Sequence, residues 1–244
     1  MPTLEWIGKN KVVNHHLEVP YQVLQRVYSY DEKGQHPKDN GSENKIIHGD
    51  NLAALKSLLP QYEGKIKCIY IDPPYNTGNE GWVYNDNVND PRIQKWLGEV
   101  VGTQSDDLTR HDKWLCMIYP RLRLLYKLLS DNGAIFISLD DNEIASLKFV
   151  MDEIFGSSNF IAQITLLCNP KGRSQDKYFA TCHEYLLVYT KTKLEPGSFS
   201  VEKNENKIKA DYKLRDDNGL YRLIELRNTH RAVSYTHLRA HETL

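Results

Sequence analysis

Cysteine is scarce and scattered: the 244-residue chain carries four, Cys68, Cys116, Cys168 and Cys182, and no two of them form a C-x-x-C pair. That spacing indicates neither a zinc site nor a disulfide framework, so no metal is expected and the thiols read as buried groups in a reducing compartment. No apolar run approaches the length of a membrane span. The N-terminus, Met1-Pro2-Thr3-Leu4-Glu5-Trp6, also lacks the basic-then-apolar order of a signal peptide, which points to a cytoplasmic protein with no membrane partner. An excess of one charge is missing too, with a formal net charge of -1 and 26% charged residues. A uniformly basic nucleic-acid binder gains no support from that balance, although a local basic face is compatible with it. The length allows one large domain, or a domain and a half, with a sizeable core.

What is present centres on Ile69-Tyr70-Ile71-Asp72-Pro73-Pro74-Tyr75-Asn76, an apolar run that ends in a carboxylate, two prolines and an aromatic ring. Pro73 and Pro74 have no N–H for a sheet ladder, and a residue before proline is driven out of the helical region. The strand therefore ends with Asp72 held extended, and strand ends in α/β sheets are where ligands bind.

Periodicity places the other elements around this stop. Residues 1–45 form a mixed N-terminal extension closing in a polar loop from Asp31 to Asn44. Lys45 to Asp50 reads as a short strand, and Asn51 to Tyr62 as a helix with Leu52, Leu55, Leu58 and Leu59 on one face, capped by Asp50 or Asn51. Ile66 to Ile71 is the strand that delivers Asp72, so Asp50 and Asp72 are expected on one edge of a parallel sheet. Residues 76–110 are rich in Asn, Asp and Gly, with one amphipathic piece near Ile93 to Val101. Asp112 to Leu129 reads as a helix kinked at Pro120 and ended by Asn132-Gly133. Ala134 to Leu139 follows as a strand ending in Asp140 and Asp141, then a helix from Asn142 to Phe155 stopped by Gly156. Two further strands, Phe160 to Leu167 and Tyr185 to Thr190, flank a basic loop. The core is thus expected over 46–190, with a second module beginning over 191–232.

The chemistry open to the central motif is the gripping of a planar amine. The Asp72 carboxylate and the Pro73 carbonyl are two acceptors, and neither proline offers a competing donor. Two acceptors on an exocyclic amino group localise its lone pair on nitrogen, which can then attack an electrophilic methyl. Tyr75 would stack on the ring, as in the pocket of a base flipped out of a duplex. On four residues alone, a turn that merely ends a strand explains the motif equally well.

The flanking sequence separates these readings. Asp72-Pro73-Pro74-Tyr75-Asn76-Thr77-Gly78-Asn79, preceded by Gly49-Asp50-Asn51-Leu52, resembles the amino-group DNA methyltransferases. More narrowly it is similar to the adenine-N6 modification subunits of type III restriction-modification systems. The likeness runs from about Leu4 to Asn228, through Asn169-Pro170-Lys171-Gly172-Arg173 and His183-Glu184-Tyr185. The resemblance implies methyl transfer from S-adenosylmethionine to adenine N6 in DNA, with the adenine flipped out of the duplex. It implies Asp72, Pro73, Pro74 and Tyr75 as catalytic positions and Asp50 with Asn51 beside the cofactor. Asp140 and Asp141 fall at the pocket rim. Lys171, Arg173 and Lys177 are candidate phosphate contacts, with an ordinary solvated loop as the plainer reading. His183 and Glu184 read as structural, and Trp114 and Tyr119 as core. A restriction subunit and a second copy of the chain are compatible partners.

The implied fold is α/β, a partial Rossmann-like S-adenosylmethionine-dependent methyltransferase, doubly wound on a mostly parallel sheet of order 3-2-1-4-5-7-6. Family members with this motif order carry an F-x-G-x-G cofactor loop towards the C-terminus, and no such motif occurs here. Strands 1 and 2 are expected to be missing, leaving strand 3 without a neighbour and strand 4 with a bare edge. Residues 233–244 resemble a translated sequencing adapter and are expected to be a non-native tail, with the natural gene running on past Ala232. As written, the chain is expected to be inactive. The alternatives are methylation of cytosine N4 or another amine or amide, and a non-catalytic DNA-binding remnant.

Overall fold

The structure, a computed structural model, describes residues 3–77, 107–168, 181–195, 197–200, 212–217, 219–227 and 233–239. The chain divides into two compact units, Met1–Leu194 and Glu195–Leu244. The first opens with two single-turn helices, α1 (Lys9–Val12) and α2 (His15–Glu18), and a small hairpin, β1 (Ser29–Asp31) with β2 (Gly34–His36). Helix α3 (Asn51–Tyr62) leads into β3 (Ile66–Ile71), helix α4 (Asp107–Leu128) into β4 (Leu129–Leu139), and helix α5 (Ile144–Phe155) into β5 (Phe160–Leu167). Strand β6 (His183–Thr190) completes the sheet.

The four strands lie in the order β3-β4-β6-β5. Only β3 and β4 pair in parallel; β6 runs antiparallel to both β4 and β5. Among the described residues the sheet is therefore mixed rather than mostly parallel, because β6 is inserted between two strands that point the other way. Alternation along β4 explains the core: Ile135, Ile137 and Leu139 face one side and are fully buried, in register with Ile69 and Ile71 of β3 and with Leu187 and Tyr189 of β6. Trp114, Leu122 and Leu125 of α4 and Leu147, Val150 and Met151 of α5 pack on this same side. Helix α3 joins through Leu52 and Leu59 against Leu124 and Leu128. The opposite side leaves Tyr70, Ile164 and Leu166 exposed. Among the described residues the helices lie on one side of the sheet, so they do not by themselves make the doubly wound arrangement expected.

Helix α3 begins and ends where the sequence pattern puts it, and Gly156, at φ 87°, stops α5 in a backbone conformation suited to glycine. Four local expectations fail. Residues 45–50 form no strand and are exposed, so Asp50 does not stand on a sheet edge beside Asp72; without a neighbour to take its N–H and C=O groups, an isolated strand has nothing to hold it. Gly133 does not cap a helix. It lies in a register irregularity of β4 opposite β3, where a Cβ would sit 2.8 Å from the Ile66 carbonyl oxygen. Helix α4 starts five residues earlier than the pattern suggests and gives way to strand at Leu129. Finally, only Cys116 of the four thiols is buried, whereas Cys68 and Cys168 are exposed.

The N-terminal extension belongs to the first unit, with Trp6, Val12 and Val19 buried and the Lys9 Nζ bonded to Glu153 at 2.8 Å. In the second unit, β7 (Leu214–Asp216), β8 (Gly219–Arg227) and β9 (Val233–Arg239) form an antiparallel sheet. Residues 233–239 of the expected non-native tail pair with β8, from Arg227↔Val233 to Tyr221↔Arg239. No helix among the described residues is long and apolar enough to cross a membrane.

Candidate active site

Strand β3 ends at Ile71, and the next six residues cross the edge of the sheet. Asp72 is exposed, Pro73 is buried and Tyr75 is half-buried. Asn76 is only 4% exposed and adopts φ 59°, the left-handed region that Asn tolerates better than other non-glycine residues. The loop is fastened from the helical layer. Trp114 of α4, fully buried, donates its indole N–H to the Pro74 carbonyl at 2.7 Å. The Asn76 side-chain amide donates to Glu143 Oε1 at 2.5 Å, and His111 Nδ1 lies 2.6 Å from the same oxygen. Among the described residues no donor meets the Pro73 carbonyl.

The sheet supplies the other wall. Because β6 is antiparallel, its first residues lie at the edge where β4 ends, with Tyr185 in register with Leu139. The Tyr75 hydroxyl donates to Glu184 Oε2 at 3.2 Å. Burial, and then the negative charges of Glu184 and Asp72, hold the Tyr75 phenol well above its usual range. Tyr75 is therefore a neutral ring with an anchored hydroxyl. Burial also raises the Glu143 carboxyl, against the opposing pull of Asn76 and His111. Beside this wall, Asp141 accepts from the Tyr185 hydroxyl at 2.8 Å, which in turn lies 2.9 Å from His183 Nε2. Asp140 is turned inward on its own chain, accepting from the Asn142 backbone and side chain.

Asp50 and Asn51 are engaged elsewhere. Asp50 Oδ1 caps α3 by accepting from the Ala53 N–H at 2.9 Å, and its Oδ2 lies 3.9 Å from the Arg121 guanidinium. Asn51 Oδ1 accepts from Arg121 Nε at 2.6 Å. The structure thus brings Asp72 through Tyr75 together at one sheet edge and places Asp50 and Asn51 in a separate helix-start network. Lys171, Arg173 and Lys177 lie outside the described residues, as does the Asn- and Gly-rich stretch over 78–106. Sequence reading missed His111, Glu143 and Glu184 as neighbours of the motif. The one available signal was three polar residues adjoining helix or strand ends, which is too common to single them out.

The sheet edge thus carries an exposed carboxylate beside a Pro-Pro-Tyr turn that Trp114 and Glu184 fasten. Residues 66–236 match the DNA methylase family of N6 and N4 methyltransferases, well over half of the chain, and the chain belongs to that family. It is 36% identical to the EcoPI Mod subunit, a type III restriction-modification enzyme of Escherichia phage P1, over 233 residues, covering 90% of this chain and 35% of that protein. The EcoP15I Mod subunit of Escherichia coli is 37% identical over 202 residues, covering 78% and 30%. The type II methyltransferase M.KpnI of Klebsiella pneumoniae is 40% identical over 166 residues, covering 68% and 36%. The chain spans about a third of the length of these relatives. Among solved structures, M1.HpyAVI in complex with SAM aligns with a TM-score of 0.35 at 18% identity, over 66% of this chain and 62% of that one.

Proposed function

We propose that this chain carries the amine-gripping half of the active site of a DNA adenine-N6 methyltransferase of the type III modification kind. The observation that carries the reading is the sheet edge at Asp72, where an exposed carboxylate beside the Tyr75 hydroxyl and a Pro73 carbonyl that meets no donor among the described residues flank a turn pinned by Trp114. Such a turn offers two acceptors to one amino group, while the anchored Tyr75 ring offers a stacking surface to its base. Drawing both N–H bonds of the amine towards acceptors returns its lone pair to nitrogen and makes it a nucleophile. No covalent intermediate with the protein is needed. The strand order β3-β4-β6-β5, with β6 antiparallel, supports the 4-5-7-6 part of the S-adenosylmethionine-dependent methyltransferase sheet.

The methyl donor in this reading is S-adenosylmethionine. Asp50 and Asn51, the positions the resemblance assigns to it, are committed to the α3 cap and to Arg121, and residues 45–50 lie outside any sheet. The described residues therefore do not by themselves form a cradle for it. The substrate in this reading is duplex DNA with a flipped adenine, with Lys171, Arg173 and Lys177 on its phosphates. A restriction subunit and a second copy of the chain are the protein partners it calls for.

The test takes the full-length product of the gene, incubates it with duplex DNA and S-adenosylmethionine, and analyses the nucleosides by mass spectrometry. N6-methyladenine is the expected product. N4-methylcytosine would place the enzyme in the other branch of its family, and an unmodified digest would overturn the reading. The 244-residue chain alone is expected to transfer no labelled methyl groups.

A further inference from the structure

Glu143 occupies the N-cap position of α5 and makes no capping hydrogen bond there. Its carboxylate is fully buried, meets the Ser146 side chain in the first turn of α5, and through Oε1 receives the Asn76 amide and faces His111 Nδ1. Oε2 is also buried and has no hydrogen-bond partner among the described residues. A buried carboxylate that neither caps its helix nor has both oxygens satisfied is costly to keep. Its contacts converge on one place. His111 and Trp114 stand three residues apart on α4 and so share a face of that helix. His111 meets Glu143 there, and Trp114 takes the Pro74 carbonyl. The chain is thus held on both sides of Tyr75: at the Pro74 carbonyl before it and at the Asn76 side chain after it. Asn76 is also the described non-glycine residue with a positive φ, 59°, a conformation that must be held by its surroundings.

We propose that Glu143, braced by His111, is a positioning residue that locks Asn76 in its left-handed conformation and so fixes the direction in which Asp72, the Pro73 carbonyl and the Tyr75 ring face the target amine. The lock itself needs no ligand and is present in the chain as it stands. Its purpose in orienting an amine rests on the methyltransferase reading above. Glu143 touches no reacting atom and acts entirely through Asn76. Gln at this position retains an oxygen for the Asn76 amide, whereas Leu fills the space without accepting. Gly at position 76 tolerates the left-handed backbone but has no side chain to hold.

Amide hydrogen exchange on the 244-residue chain, comparing the Tyr75, Asn76 and Thr77 amides with those of Ala134 to Leu139, tests the lock. Glu143→Leu and Asn76→Gly are each expected to speed loop exchange about tenfold, the scale of one lost buried hydrogen bond. The double variant is expected to add nothing to either single change, since both remove the same interaction. Glu143→Gln should stay within about twofold of the parent. Loop exchange unmoved by Glu143→Leu, full additivity in the double variant, or equal acceleration in β4 would each overturn the proposal. Should Glu143→Leu fail to fold, Asn76→Gly and Glu143→Gln still decide it. In the full-length product of the gene, Glu143→Leu is expected to lower kcat for methyl transfer at least tenfold with KM for DNA unchanged. A loosened loop with unchanged kcat would overturn the positioning role. If the parent enzyme transfers no methyl group, the functional reading falls while the exchange result still settles the lock.

Discussion

Trp114 does two jobs with one side chain: its ring fills the core and its N–H holds the Pro74 carbonyl at 2.7 Å. Trp114→Phe keeps most of the ring and loses the bond, leaving a half-buried carbonyl without that donor. Urea unfolding should show a loss of about 1–2 kcal/mol. Gly133 is constrained by close approach, since a Cβ there meets the backbone oxygen of Ile66 and the Leu129 side chain at 2.8 Å. Gly133→Ala should cost about 1–3 kcal/mol by the same measurement, because the Ile66 carbonyl belongs to the sheet and cannot swing aside. His16, 1% exposed, is pushed down from 6.5 to about 4 by burial and then by the charges of Arg123, Lys127 and Lys56. The unfolded chain takes up this proton near pH 6.5 and the folded chain only near 4. Stability should therefore fall as the pH drops through that window, by about 1.4 kcal/mol per unit at most. Replacing His16 with Gln should flatten that part of a stability-against-pH curve, and an unchanged slope would show that other groups govern it.

At the scale of single elements, α3 and β3 show how ends decide behaviour. Asp50 caps α3 through the Ala53 N–H, so Asp50→Ala should cost about 1 kcal/mol, read by chemical unfolding. Strand β3 has one neighbour, β4, and its other edge is unpaired among the described residues, with Tyr70 61% exposed beside it. An open edge carrying an exposed aromatic ring favours strand addition by another chain. Tyr70→Lys should raise the concentration at which the 244-residue chain stays monomeric in light scattering. It would also give up the hydroxyl bond to Ser138 at 2.9 Å. An unchanged aggregation threshold would exonerate this edge.

The whole molecule divides after Leu194, and both hydrophobic clusters found among the described residues lie in the first unit. A chain ending at Leu194 should keep the near-ultraviolet circular dichroism of its packed Trp6, Trp114 and Tyr119 and unfold within a few degrees of the full chain. A collapse of that signal would show that the first unit depends on the second. The N-terminal segment behaves differently, because the Trp6 ring packs tilted against Tyr119, centroids 5.6 Å apart, and Lys9 ties to Glu153. Although its composition reads as an extension, removing residues 1–20 should uncover the α4 surface and lower stability.

Local rules made the strand stop at Asp72 legible, since two prolines can neither extend a ladder nor follow a helical residue. The stripes of α3, α4 and α5 were legible for the same reason: a 3.6-residue period is written in consecutive residues. The motif with its flanks also disclosed the family, because that depends on order along the chain. Tertiary structure decided what depends on partners distant in sequence. Lys45 to Asp50 has the composition of a strand and forms none, because pairing requires a neighbour. Gly133 looks like a helix stop and serves instead as a point of contact between strands. Trp114 was legible as core, but its bond to Pro74 was not. Glu143 and His111 stand 67 and 35 residues from Asn76, and only the packing of α4 and α5 against one side of the sheet brings them to it. The sequence by itself determined the order of carboxylate, prolines and aromatic ring at the strand stop; the fold decided which distant residues bond to that turn, because hydrogen-bond geometry is set by distances across the core rather than along the chain.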